Sequence, residues 1–177
     1  YTGPNNFNGG TVLAAAANAL GSGGALTVNN ATLNIGHNNQ SVGAVTLTNG
    51  NILGTNGVLS ASGYTLASGT VSAHLASGNL TKTGSGTVSL TASNNIGATE
   101  IQGGILRVTD PNALGLGGFS AATLTVINAG GALLYDGNIT TDEHLYLAGA
   151  GPDGLGALRA TNGTVIIAQH AFMPTNA

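Results

Sequence analysis

Charge is scarce in this chain of 177 residues, which carries six acids, three Lys or Arg and four His. Four of the acids, Asp136, Asp142, Glu143 and Asp153, gather toward the C-terminus with His144 beside them. Carboxylates on adjacent loops are what a calcium ion takes, but calcium loops need several oxygen ligands at fixed offsets, and this spacing lacks them. Solvated acids at turns are the expectation. Zinc asks for His or Cys pairs a few residues apart. Cysteine is absent, and His37, His74, His144 and His170 stand far apart, so solvent-facing histidines on strands or corners are expected. Glycan cleavage needs two carboxylates, or a carboxylate and a base, converging on one groove. The only adjacent acids are Asp142 and Glu143, and neighbours on a strand point to opposite faces. No Gly-x-Ser-x-Gly marks a nucleophile elbow. The sequence therefore predicts no catalytic, cofactor-binding or metal residue.

The cations Lys82, Arg107 and Arg159 are scattered, whereas a phosphate backbone is met by clustered bases. With a net charge of −3, nucleic acid is not an expected partner. No apolar run approaches the roughly 20 residues of a membrane-spanning helix.

The elements that would carry these residues are short. Thr87-Val88-Ser89-Leu90-Thr91 and Ile105-Leu106-Arg107-Val108 alternate apolar and polar, the period of a strand with one buried face. Similar runs occur at Leu26 to Val28, Thr32 to Ile35, Val45 to Thr48, Val58 to Ala61, Thr70 to Leu75, Leu124 to Val126, Ala132 to Leu134, His144 to Leu147, Leu158 to Ala160 and Thr164 to Ile167. Alternation places Leu26, Val28, Leu33, Ile35, Val45, Leu47, Leu59, Val71, Ala73, Leu75, Val88, Leu90, Leu106 and Val108 inside. In the last third it places Leu145, Leu147, Leu158, Val165 and Ile167 inside. Charged residues make up 5% of the chain, too few to coat helix surfaces, while 30 glycines suit tight corners. A hydrophobic share of 42% in alternating runs argues for a packed interior over disorder.

Strands this close leave no room for helical crossovers, and winding into a coil pairs each strand with the next turn. The expected fold is a right-handed parallel β-helix of some seven or eight coils, each of roughly 20 to 25 residues, with Asn/Gly corners. Asn49-Gly50 and Asn56-Gly57 also fit hairpin turns, so a hairpin insertion at 49–57 is an alternative. The Ala14 to Leu20 run suggests a helical turn. Asn-Ala-Leu-Gly occurs at Asn18 and again at Asn112, 94 residues later (112 − 18), which implies a longer period laid over the short coils.

The stretch 78–118 resembles the autotransporter-associated β-strand repeat. The matching residues are Leu80-Thr81-Lys82-Thr83-Gly84, Gly86-Thr87-Val88, Leu90, Thr99, Gly103-Gly104, Leu106 and Asn112-Ala113-Leu114-Gly115. Asn95-Ile96-Gly97 stands where the family carries an aromatic-Thr-Gly. Tyr1-Thr2-Gly3 supplies that element for a second copy over 1–24, and Gly156-Ala157-Leu158-Arg159 with Asn162-Gly163-Thr164 adds a further likeness. The resemblance implies a β-helical surface protein of bacteria, extracellular or on the outer cell surface, and names no active site.

The whole chain, 1–177, is expected to be a single solenoid segment of a longer array, opening inside a repeat at Tyr1. The functional expectation is a non-catalytic structural element: a stalk, fibre or filament section that continues in a longer chain or self-associates end to end through uncapped coils. The alternative is an adhesin-type passenger domain binding a surface glycan or protein. Binding hot spots favour Trp, Tyr and Arg, and this chain has no Trp. Tyr64, Tyr135 and Tyr146 are scattered, with only Tyr135 and Tyr146 placed to share a face. Sequons at Asn30, Asn39, Asn79, Asn138 and Asn162 are expected by chance in so Asn- and Thr-rich a chain.

Overall fold

A computed structural model describes residues 1–117, 120 and 122–173. Gly118, which closes the repeat-like stretch, and Pro174 lie outside the described residues. The chain winds into a parallel β-solenoid, with no helix among the described residues. Coil by coil, the strands run β1 (Asn5–Phe7) and β2 (Gly10–Leu13); β3 (Leu26–Gly36) and β4 (Gln40–Ser41); β5 (Ala44–Gly54) and β6 (Val58–Ser60). Next come β7 (Gly63–Leu66), β8 (Gly69–Val71) and β9 (His74–Ala76); β10 (Asn79–Lys82) and β11 (Thr87–Leu90); β12 (Thr99–Ile101) and β13 (Gly104–Val108). The remainder are β14 (Thr125–Ile127), β15 (Gly131–Asp136) and β16 (Ile139–Thr141); β17 (Leu145–Leu147), β18 (Leu158–Thr161) and β19 (Val165–Ile167); and β20 (Ala171–Phe172).

Three faces result. Face one is the ladder β1, β3, β5, β7, β10, β12, β14, β17 and β20. Face two joins β2, the later halves of β3 and β5, then β8, β11, β13, β15 and β18. Face three is shorter, with β4, β6 and β9 in one sheet and β16 and β19 in another. The registered strand pairs are parallel, as backbone groups of stacked coils must be if each turn satisfies the next.

The usual coil is tighter than the sequence suggested. Equivalent corner residues lie 19 apart, as in Asn30 to Asn49 and Asn49 to Ser68. From Tyr64 to Leu80 only 16 residues (80 − 64) complete a turn. The hairpin alternative fails: 44–54 is a single strand that passes Asn49-Gly50 as a corner within it, and Gly50 takes φ +131° there. A side chain at Gly50 would strike the Ala31 carbonyl one coil away, and one at Gly69 would strike Gly50 in turn. Thr70 to Leu75 is likewise two strands, β8 and β9, with Val71, Ala73 and Leu75 all pointing inward around the bend.

All the residues assigned inward from Leu26 to Val108 are buried. The rule weakens toward the C-terminus, where Leu145 is buried but Leu147, Leu158, Val165 and Ile167 are only partly so. Ile52, Leu66, Leu80, Ile101 and Ile127 complete the core. Tyr135 and Tyr146 do not share a face: Tyr135 points into the core from β15 on face two, and Tyr146 is exposed on β17 of face one.

The Ala14 to Leu20 run forms a turn, not a helix. Its Asn-Ala-Leu-Gly copy occupies the same place in the coil as the second one. Each lies beside the same inward row of face three, which runs Gln40, Leu59, Leu75 and Asn94, with Gln40 against the first copy and Asn94 against the second. In each, the glycine N–H donates back to the asparagine carbonyl, at 2.9 Å from Gly21 and 3.1 Å from Gly115. A buried amide from the neighbouring coil closes each excursion. Gln40 accepts from Leu20 N–H at 3.2 Å and donates to the Ala16 carbonyl at 2.8 Å. Asn94 accepts from Leu75 N–H at 2.8 Å and donates to the Ala113 carbonyl at 2.7 Å, bridging the coils on both sides.

The face assignment predicts opposite outcomes at adjacent residues. Val88→Asp places an unpaired carboxylate in the core and costs more than about 3 kcal/mol, whereas exposed Thr87→Asp stays within about 1 kcal/mol. Urea unfolding followed by circular dichroism measures both. Equal losses would contradict the register of β11.

Candidate functional site

The residues with chemistry do not meet at one centre. Asp136 pairs with Arg107 on the outside of face two and accepts from Asn162 at 2.7 Å. Those hydrogen bonds, Asn162's first, hold its carboxyl below the usual range. Asp153 pairs with Arg159, whose hydrogen bond lowers the Asp153 pKa likewise. Asp142 is exposed and Glu143 buried; both lie in the corner between β16 and β17, off the strands, where Glu143, His144 and Leu145 are buried in succession. Among the described residues no three of His, Asp and Glu gather as a metal site.

The histidines depart from expectation. His37 and His170 are exposed, but His74 is half-buried with Nδ1 2.7 Å from the Ser93 carbonyl, and His144 is buried. His144 and His170, 26 residues apart (170 − 144), occupy successive coils with ring centroids 6.3 Å apart. His170 in turn stacks on Phe172 at 6.0 Å. Sequence distance concealed this because in a solenoid one coil of separation is spatial contact.

These rings belong to one surface. The outward row of face one runs Thr27, Thr46, Thr65 and Thr81, then Glu100, Val126, Tyr146 and Phe172, each in register with the next. It changes character along the axis, from four hydroxyls to an apolar and aromatic end. His144 and His170 flank that end, where with Gln169 and Phe172 they line a shallow depression of about 430 Å³. Tyr146 is 38% and Phe172 43% exposed, so their rings are presented to solvent. At its near edge, Glu100 accepts from Asn128 at 2.8 Å and from Gln102 at 3.2 Å, a group of planar polar side chains. Aromatic bodies beside amides and a carboxylate offer both ring faces and hydrogen bonds to a ligand. This is the strongest candidate binding surface. No alternation rule singles it out, since it needs the coil lengths that set Tyr146 against Phe172.

A second unforeseen site is internal. Lys82 sits at the inward position between Leu66 and Ile101 in the face-one ladder and is fully buried. Its Nζ donates to the carbonyls of Thr83 at 2.6 Å, Gly103 at 2.9 Å and Gly84 at 3.2 Å, closing the corner before β11. Gly104 packs against this ammonium, where a β-carbon would lie 2.8 Å from Nζ. The cation is a structural staple, placed where alternation calls for an apolar residue.

Comparison with family models, with curated proteins and with solved structures found no match for this chain.

Burial pushes the Lys82 pKa down to about 8, from 10.5. The unfolded chain then binds more protons between these values, so stability should rise as pH increases from about 8 to 10.5. Chemical denaturation across that window measures the slope, which Lys82→Met should abolish. A slope unchanged by the substitution would assign the titration elsewhere.

Proposed function

We propose that this chain is a non-catalytic structural section of an extracellular bacterial surface protein, a stalk or filament segment of autotransporter-like β-solenoid. One observation carries the reading: the face-one ladder runs without interruption from β1 to β20 over a continuous apolar core. Eight steps along the nine strands of that ladder, at about 4.8 Å each, make a rod of roughly 38 Å. Such a rod holds its length because every coil is bonded to the next, which is what a spacer requires. The repeat resemblance at 78–118 supports placement at the cell surface.

The same geometry suits continuation in a longer chain or end-to-end addition of a second copy. Among the described residues β1 and β2 pair with β3 alone, and Leu13, Ile166 and Met173 present exposed apolar side chains near the terminal coils. Low net charge opposes such addition little. Electron microscopy and sedimentation across concentration test this: rods of constant width support the structural role, lengthening with concentration supports end-to-end addition, and fixed-length rods support continuation. Isometric particles would contradict the rod.

The aromatic end of face one favours a second reading, an adhesin for a neutral glycan. A pyranose presents an apolar C–H face to rings and hydroxyls to planar polar groups, the combination gathered around Tyr146, Phe172 and Glu100. Under this reading Tyr146→Ala weakens glycan binding by at least about tenfold, measured by calorimetry with the best ligand from a glycan array. Unchanged affinity, or no glycan bound by the unaltered chain, would remove it.

A further inference from the structure

Beneath the outer surface of the later coils lies a group of polar side chains that the structural role does not use. Glu143 is 2% exposed. Its Oε2 accepts from the Thr125 hydroxyl at 3.0 Å, and the Gly117 backbone N–H approaches the same carboxyl. Oε1 has no hydrogen-bond partner among the described residues. Thr99, one coil before Thr125 in the same inward row, is fully buried with its hydroxyl likewise unpartnered. The buried Tyr135 hydroxyl lies near Thr141 and Glu143 without closing a hydrogen bond to either. The Thr141 hydroxyl accepts from the backbone N–H of Glu143 itself at 3.2 Å.

The groups beside Glu143 are thus hydroxyls of β14, β15 and β16, and the backbone at Gly117. Tyr135 is the titratable side chain among them. On its own segment, Asp142 points outward and His144 packs on His170. The ion pairs among the described residues, Arg107 with Asp136 and Arg159 with Asp153, do not involve Glu143. A carboxylate here has two donors for four lone-pair sites and no countercharge. A neutral carboxylic acid fits better, because its O–H can donate to a neighbouring hydroxyl and no charge is desolvated.

We infer that Glu143 is a proton-operated latch: protonated and uncharged, it stays buried and holds the corner before β17 against β14 and the segment at Gly117, and ionised, with no countercharge beside it, it is drawn toward water and releases them, although both donors favour the charged form. The inference stands apart from the proposed function, since a spacer or an adhesin could carry such a latch equally. Its consequence is local. Release frees Thr125 and Gly117 from one shared partner and loosens the segment that carries His144 under the aromatic surface.

Burial, the largest influence, raises the Glu143 pKa from 4.5 to about 7, against the smaller opposing effects of the Thr125 and Gly117 hydrogen bonds. A carboxyl whose folded pKa lies above its unfolded one stabilises fully below about 4.5, and that contribution is lost as pH rises through about 7. This window is separate from the one set by Lys82.

Amide hydrogen exchange at pH 5 and pH 8, corrected for intrinsic rates, tests the latch on the whole chain. Opening of peptides spanning 110–117 and 139–147 should rise by roughly one to two orders of magnitude between the two pH values, while 26–60 changes little. In Glu143→Gln, a neutral isostere that keeps an acceptor and a donor, the C-terminal peptides should stay protected at both. An equal pH response in that variant, or a uniform response along the chain, would overturn the inference. Should the variant not fold, carbon-13 titration of the Glu143 carboxyl in the unaltered chain decides: a midpoint near 7 supports the latch, and one near 4.5 overturns it.

Discussion

Everything in this molecule depends on the distance between stacked backbones. Parallel ladders hold successive coils about 4.8 Å apart, and at that spacing the corners have no room for most side chains. Gly50 and Gly69 lie at one such corner, each against the backbone of the coil before it, with φ near +130°. Asn30, Asn49 and Ser68 line the same edge and hydrogen-bond coil to coil, Asn49 to Asn30 at 2.8 Å and Ser68 to Asn49 at 3.4 Å. The high glycine content is thus a consequence of stacking, and the entropy it costs is recovered only because each coil is bonded on both sides.

Where the chain leaves the regular coil, polar side chains inside the solenoid take over from the ladder. The two Asn-Ala-Leu-Gly turns cannot pair as strands, so Gln40 and Asn94 supply the missing donors and acceptors. Lys82 does the same at another corner, with an ammonium filling a position flanked by Leu66 and Ile101. A buried polar group of this kind is tolerable only when its hydrogen bonds are made. Gln40, Asn94 and Lys82 meet that condition through backbone carbonyls and N–H groups, and the later coils, with Thr99, Tyr135 and Glu143, meet it less completely.

Fold class was legible because alternation is a local property. Val88 and Leu90 point inward whatever the rest of the chain does, and the same holds back to Leu26. Lys82 and Glu143 were not legible as buried residues: the Lys82 ammonium is satisfied by two carbonyls of its own corner and by Gly103 of the next coil, and Glu143 meets a hydroxyl of the coil before. The aromatic surface escaped for a related reason. Tyr146 meets Phe172, and His144 meets His170, only because that coil is 26 residues long. A coil of 19, the usual length here, would have placed other residues beside them.

The central claim is the in-register parallel ladder of face one, and a distance along it tests that claim most directly. Thr27 and Tyr146 both point outward in the same row, six steps apart through Thr46, Thr65, Thr81, Glu100 and Val126. Cysteine substitution at both, spin labelling and double electron–electron resonance should give a single narrow distribution centred at about 29 Å between the backbones, allowing for the label arms. A broad distribution, or a centre displaced by more than the label arms permit, would contradict the stacked-coil account.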